Sequence, residues 1–256
     1  MMVAKPIGTR RRLKGLAALA GALAAIIGGG ALLQRATIPV SSIPHLADRP
    51  VMADKPVILP GGTALYVQRH EVTVAQWNDC HRGGGCTVVL RVRPDQDDAA
   101  TPATGLNYLD AQEYLSWINA RTGGFYRLPT AVEWQFMAAP VLPETPNPIF
   151  TDPSLTWASA YLLEGNAARA LRPVGSFSTT AEGIEDLDGS VWEWTQDCYA
   201  GASGETDPVR CPAYFVGGEH VAAMSYLMRD PARGGCAVGT PPAHLGMRLV
   251  SDHPAF

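Results

Sequence analysis

Charge is scarce in this chain: Asp, Glu, Lys and Arg make up 17% of its 256 residues, below the roughly one quarter usual in globular proteins. That argues against long coiled coils and charged disordered tails. An excess of basic charge is also missing; the net charge is -4, so nothing points to nucleic-acid binding. There is no internal repeat and no low-complexity tract. No Gly-x-Ser-x-Gly elbow and no phosphate-cradling glycine loop occurs. The histidines (His45, His70, His81, His220, His244 and His253) are scattered, and none has the short helical spacing of a zinc or non-haem iron motif. What is plentiful is Gly, at 26, and Pro, at 21, which predicts a loop-rich fold with short regular elements. An apolar content of 46% is enough for a proper core.

The basic charge is concentrated at the start. Lys5, Arg10, Arg11, Arg12 and Lys14 precede Leu16 to Leu33, which carries no charge. This is the n-region and h-region of an export signal. Basic residues before the span and a domain after it place that domain outside the cytoplasm, in the periplasm or an equivalent compartment. Thr9-Arg10-Arg11-Arg12-Leu13-Lys14 resembles a twin-arginine export motif. Gln34-Arg35-Ala36 is a poor cleavage site, which favours an uncleaved anchor over a cleaved signal. The expected organisation is therefore a signal or membrane anchor over residues 1–35, a Pro- and Ser-rich linker over 36–60, and a domain over 61–256.

Five cysteines suit an oxidising compartment: Cys80, Cys86, Cys198, Cys211 and Cys236. Proximity in sequence predicts Cys80–Cys86 and Cys198–Cys211, leaving Cys236 odd, with Cys198–Cys236 as the rival pairing. Three helices are expected. Thr73 caps one beginning at Val74. Asn107 caps a longer one whose apolar positions include Leu109, Ala111, Tyr114, Leu115 and Ile118, closed by Gly123. Thr130 and Glu133 form a capping box for a third, which carries Trp134, Phe136 and Met137 and ends at Pro140. Short strands are expected near Val191–Trp194, with Trp192 and Trp194 on one face, and near Gly246–Val250. The class is α+β.

Six segments in order carry a resemblance. They are Glu71-Val72-Thr73 with Gln76-Trp77; Asp110-Ala111 with Tyr114 and Trp117; Tyr126-Arg127-Leu128-Pro129-Thr130 with Glu133-Trp134; Pro173-Val174-Gly175-Ser176-Phe177; Asp188-Gly189-Ser190-Val191-Trp192-Glu193-Trp194; and Gly246-Met247-Arg248-Leu249-Val250. Together they resemble the formylglycine-generating enzyme family, whose compact, loop-rich, C-type-lectin-like fold is thereby implied. Most of these residues read as scaffold.

Two metals follow from the resemblance. Carbonyls two residues apart in an extended segment point the same way, so Gly189 and Val191 can face one ion, with Asp186 and Glu193 supplying charge from either end. In the family this spacing binds calcium, and Asn166 matches a position near a second calcium site. The family's oxidases also use two C-terminal cysteines to hold copper(I), a soft ion that suits paired thiolates. Here Cys236 matches the second, the candidate catalytic residue, but Leu227 replaces the first. The C-terminal stretch from Arg229-Asp230-Pro231 through Cys236 to Val250 resembles the NirV-type branch, whose members accompany copper nitrite reductases. The expectation is a non-oxidase accessory or maturation protein with a partner such as a copper nitrite reductase. The alternatives are a copper-dependent oxidase that converts a protein cysteine to formylglycine, recruiting Cys198 or Cys211, and a lectin-like binding module.

Overall fold

The computed structural model describes residues 48–143, 170–199, 211–230 and 243–254. The expected anchor, Asn166 and Cys236 lie outside these residues.

The three helices begin where side chains can close their first turn. Helix α1, Val74–Arg82, starts at a capping box between Thr73 and Gln76. Helix α2, Tyr108–Thr122, starts at a box between Asn107 and Asp110 and ends at Gly123, whose φ of 64° is the left-handed region that glycine enters without cost. Helix α3, Ala131–Ala138, starts at the Thr130–Glu133 box. Two apolar positions expected to be inward face solvent instead: Leu109 and Phe136 are both exposed. Each lies beside a buried neighbour, Tyr108 or Met137, that takes the inward direction.

Two sheets frame the helices. Strands β1 (Val57–Ile58), β2 (Ala64–Val67) and β7 (Val250–Ser251) pair antiparallel in the order β1-β2-β7, so the end of the domain returns to its beginning. Strands β3 (Val191–Cys198), β4 (Ala213–Gly217), β5 (Ala222–Ser225) and β6 (His244–Gly246) form the order β5-β4-β3-β6, with β3 and β6 parallel. The strand expected over Gly246–Val250 is thus split: its first residue closes β6, its last opens β7, and Met247 to Leu249 bridge the two sheets. The fold also reaches into the segment expected to be linker. Met52 bridges to Gln68, Val57 pairs with Leu65, and Asp48 makes an ion pair with Arg121. Pairing with β2 satisfies backbone groups that Pro56 and Pro60 flank without interrupting.

Two apolar clusters result. One gathers Trp77, Tyr114, Leu128, Trp192, Trp194, Met247 and Leu249 between α1, α2 and β3. The other gathers Val57, Leu65, Val67, Trp134, Met137 and Val250 beneath α3. Alternation assigns the sides: Trp192 and Trp194 share the first cluster as the pattern requires, and Glu193, between them, turns to Trp134 of the second. In the same way Met247 and Leu249 enter the first cluster while Val250 enters the second.

Candidate functional site

That alternation drives two charges into the seam between the clusters. Glu193 on β3 and Arg248 before β7 are both completely buried. Arg248 Nε donates to both oxygens of Glu193, at 3.0 and 3.2 Å, and Nη2 donates to Oε1 at 2.9 Å. Trp134 Nε1 donates to Oε2 at 2.8 Å. The rest of the guanidinium reaches main-chain carbonyls: Nη1 to Gln68 and Arg69, and Nη2 to Glu185. Arg248 therefore ties two other chain segments, at 68–69 and 185, to β3.

Beside this pair lies a third buried ionisable group, Glu71, with Arg248 4.0 Å from its Oε2. That oxygen has no hydrogen-bond partner. Burial is the largest influence on Glu71 and raises it; Arg248 pulls the other way, and the carboxyls of Glu193 and Asp186 add to the rise, leaving it pushed up to about 8. Asp186 completes the group. It is buried, has φ 65°, and accepts hydrogen bonds from the backbone N–H of Phe177 at 2.8 Å and of Gly175. Its own carbonyl receives the N–H of Gly189 at 2.9 Å, so the turn that Ser190 follows is closed. Asp186, Ser190 and Val191 line a narrow space with Glu71. Of the four residues expected around calcium here, the structure brings Asp186, Gly189 and Val191 together and gives Glu193 to Arg248 and Trp134.

The second region lies where the copper thiolates were expected. Tyr226 and Leu227 form the turn after β5, and Leu227 is 56% exposed. Tyr108 stacks on Tyr214 with centroids 3.4 Å apart, and the two rings line a groove of about 650 Å³ with Leu109, Gln112, Cys211 and Tyr226. Burial, then the adjoining Tyr214, raises Tyr108 above the ordinary phenol range. Asp110 in the first turn of α2 pairs bidentately with Arg229 at 2.7 and 2.8 Å. Cys198 is bonded to Cys211, and Cys80 to Cys86, which matches the expected pairing.

Residues 25–253 match the Sulfatase-modifying factor enzyme 1-like domain. The chain belongs to this family. The sulfatase-modifying-factor-like domain is 28% identical over 183 residues to the formylglycine-generating enzyme of Mycobacterium tuberculosis, a match covering 61% of this chain and 59% of that enzyme. It is 33% identical over 135 residues to the hercynine oxygenase of the same organism, covering 50% of this chain and 28% of that protein. The chain thus spans well under two thirds of the curated relatives it matches. Among solved structures, PvdO from Pseudomonas aeruginosa is similar in fold, with a TM-score of 0.51 at 18% identity over 79% of this chain and 94% of that one. The fold is the α+β, C-type-lectin-like fold of formylglycine-generating enzymes.

Copper(I) wants two soft donors. Leu227 offers none, and the sulfurs of Cys198 and Cys211 are bonded to each other. No group of three or more His, Cys, Asp or Glu side chains poised for a metal occurs among the described residues. The described donor set does not fit copper. The sequence places Glu71 and Arg248 in the scaffold of the motifs. Arg248 carried a visible signal: it is a lone charge between Met247 and Leu249, and buried charges seldom stand unpaired.

Proposed function

We propose that this domain is a non-oxidase accessory protein, exported and membrane-anchored, that acts on or with a partner protein such as a copper nitrite reductase. One observation carries the reading. Joining Cys198 to Cys211 takes up the two thiols an oxidase could recruit, and Leu227 stands at the expected first thiolate. The C-terminal resemblance to the NirV-type branch supports the partner, and the paired cysteines support an oxidising compartment. The groove beside Tyr108, Tyr214 and Tyr226 offers aromatic faces of the kind that anchor protein interfaces.

Calcium is the resident ion of this reading, held near Asp186, Gly189 and Val191. A buried carboxyl oxygen without a partner, Glu71 Oε2, is the feature that fits a hard cation there.

The likeness to formylglycine-generating enzyme favours the second reading, an oxidase of protein cysteine. The full chain, loaded with copper and incubated in oxygen with a sulfatase-type cysteine peptide, separates the two by mass spectrometry. The expected result is unmodified peptide, with copper nitrite reductase retained on the immobilised chain. Aldehyde product that disappears in Cys236→Ala overturns the accessory reading.

A further inference from the structure

Residues 87–93, Thr-Val-Val-Leu-Arg-Val-Arg, alternate along the chain: Thr87, Val89, Arg91 and Arg93 are exposed, while Val88, Leu90 and Val92 are half-buried. Val88 and Leu90 pack against the first apolar cluster. Two is the period of a β-strand, and the β-branched content suits one. Yet no strand pairs with this segment among the described residues.

Side chains of α1 stand in for a neighbouring strand. Asn78 Nδ2 donates to the Leu90 carbonyl at 3.0 Å, and its Oδ1 accepts the Leu90 N–H at 3.1 Å. Trp77 Nε1 donates to the Val88 carbonyl at 2.8 Å. In an extended segment the N–H and C=O of one residue point to one edge, and those of the next residue to the other. The main-chain groups of Val89 and Arg91 therefore point away from α1. That second edge is stopped at both ends. The Glu113 carboxylate accepts the Thr87 N–H at 2.8 Å, and Gln96 holds the N–H and C=O of Arg93 at 3.1 and 3.0 Å. Between the stops, the N–H and C=O of Val89 and Arg91 have no hydrogen-bond partner among the described residues. Val89 is 52% exposed, so this stretch is open to an incoming chain.

Two residues with both groups free, and the residue between them turned away, are a template for an antiparallel ladder of four hydrogen bonds. The side chains beside it select what can pair. Arg91 makes no ion pair with a described residue, and Arg93 has Asp95 at 3.6 Å with both side chains mostly in solvent. A carboxylate on a strand laid opposite Arg91 pairs with it across the ladder. A second copy of this chain fits worse, because two-fold pairing about Leu90 sets the Arg91 side chains of the two copies within diagonal reach. Glu113, which stops the edge, also lines a hollow of about 730 Å³ with Leu109, Trp117 and Gly83 to Gly85, so a bulky side chain at that end of the strand has room.

We propose that residues 88–92 are a docking edge for an extended acidic segment of a partner protein, which adds to the domain as an antiparallel strand on Val89 and Arg91. The inference stands whichever of the two readings above holds.

The test uses the full chain and a labelled, end-capped peptide of alternating valine and glutamate, followed by fluorescence anisotropy and amide hydrogen exchange. Saturable binding is expected, with the Val89 and Arg91 amides exchanging fast in the free chain and protected in the complex. Methylating every second peptide nitrogen is expected to weaken binding at least ~10-fold in one register and to spare it in the other, since one set of amides faces the edge. Val89→Pro removes an N–H that nothing described in the domain uses, so it should keep the melting temperature and weaken the peptide at least ~10-fold. Arg91→Glu should weaken the peptide as well and bind the version with lysine in place of glutamate. Absence of saturable binding overturns the proposal. So does binding that leaves the Val89 and Arg91 amides unprotected, or that both methylated peptides keep in full. Self-association of the chain that Val89→Pro abolishes gives the edge to a second copy and overturns the acidic partner. Should Val89→Pro not fold, the methylated peptides decide on the wild-type chain.

Discussion

Arg248 and Glu193 meet at 2.9 Å with neither side chain reaching solvent, at the point where the two apolar clusters adjoin. The pair does two things. It neutralises a charge on the central strand β3, and through Arg248 it gathers the carbonyls of Gln68, Arg69 and Glu185. Those carbonyls belong to two segments, 68–69 and 185, that also meet through the Glu185 N–H bond to the Arg69 carbonyl at 2.8 Å, so the guanidinium reinforces that junction.

Removing one partner should therefore be costly. Arg248→Met leaves Glu193 buried with only Trp134 and takes a donor from three carbonyls, of which that of Arg69 keeps the Glu185 N–H. Loss of one member of a buried pair costs about 3–5 kcal/mol. Urea unfolding should show that loss, and the combined Arg248→Met, Glu193→Gln variant should lose less than the two single losses added.

A second pair sets the acid response. Arg127 binds Glu133 bidentately at 2.7 and 2.8 Å and also reaches Asp252, joining the start of α3 to the end of the chain. Burial works to raise Glu133, but the bonds from Arg127 and Thr130 outweigh it and leave the group below its ordinary value. The Arg127 hydrogen bond lowers Asp252 in the same sense. A depressed carboxylate contributes stability in full above its unfolded value and loses it as pH falls through the folded one. The melting temperature should accordingly drop as pH falls through and below the ordinary carboxylate range. Arg127→Leu should be less stable at neutral pH and show a shallower acid decline.

The helices, their caps and the disulfides were legible in the sequence because each rests on local rules. Thr73, Asn107 and Thr130 each precede a partner three residues on, and the cysteines of each pair lie near one another. Strands β1, β2, β4 and β5 were not legible. They are two to five residues long, and their partners are set by the return of the chain, as when Val67 meets Val250. The seam escaped for the same reason. Glu71, Glu193 and Arg248 are far apart in sequence, and only the alternation of β3 against the bridge before β7 brings them together.

Packing against α3 gives a local test. Trp134 lies flat over Gly217, and a Cβ added there would run into its ring system. Trp134 is itself held by its bond to Glu193, so it has little freedom to yield. Gly217→Ala should cost about 1–3 kcal/mol as an overpacking substitution. The near-UV circular dichroism of the tryptophans should change with it.

The last prediction concerns thiols, because the choice between the two proposed readings turns on them. The chain has five cysteines, and four are joined as Cys80–Cys86 and Cys198–Cys211. Native protein should thus show one reactive thiol, and Cys236→Ala should show none. The Cys198–Cys211 link spans 13 residues in sequence. Closing a loop of that size removes unfolded-state freedom worth about 3 kcal/mol, so the Cys198→Ser, Cys211→Ser variant should lose about that much stability. Opening the link frees the Cys211 thiol, which lines the Tyr108 groove. An oxidase that worked through this pair would have to reduce it first. Its copper affinity would then rise steeply after mild reduction and stay low before it. Copper(I) competition titrations should instead show weak binding in the oxidised chain and the same weak binding in the Cys198→Ser, Cys211→Ser variant, because one remaining thiol holds a soft ion poorly.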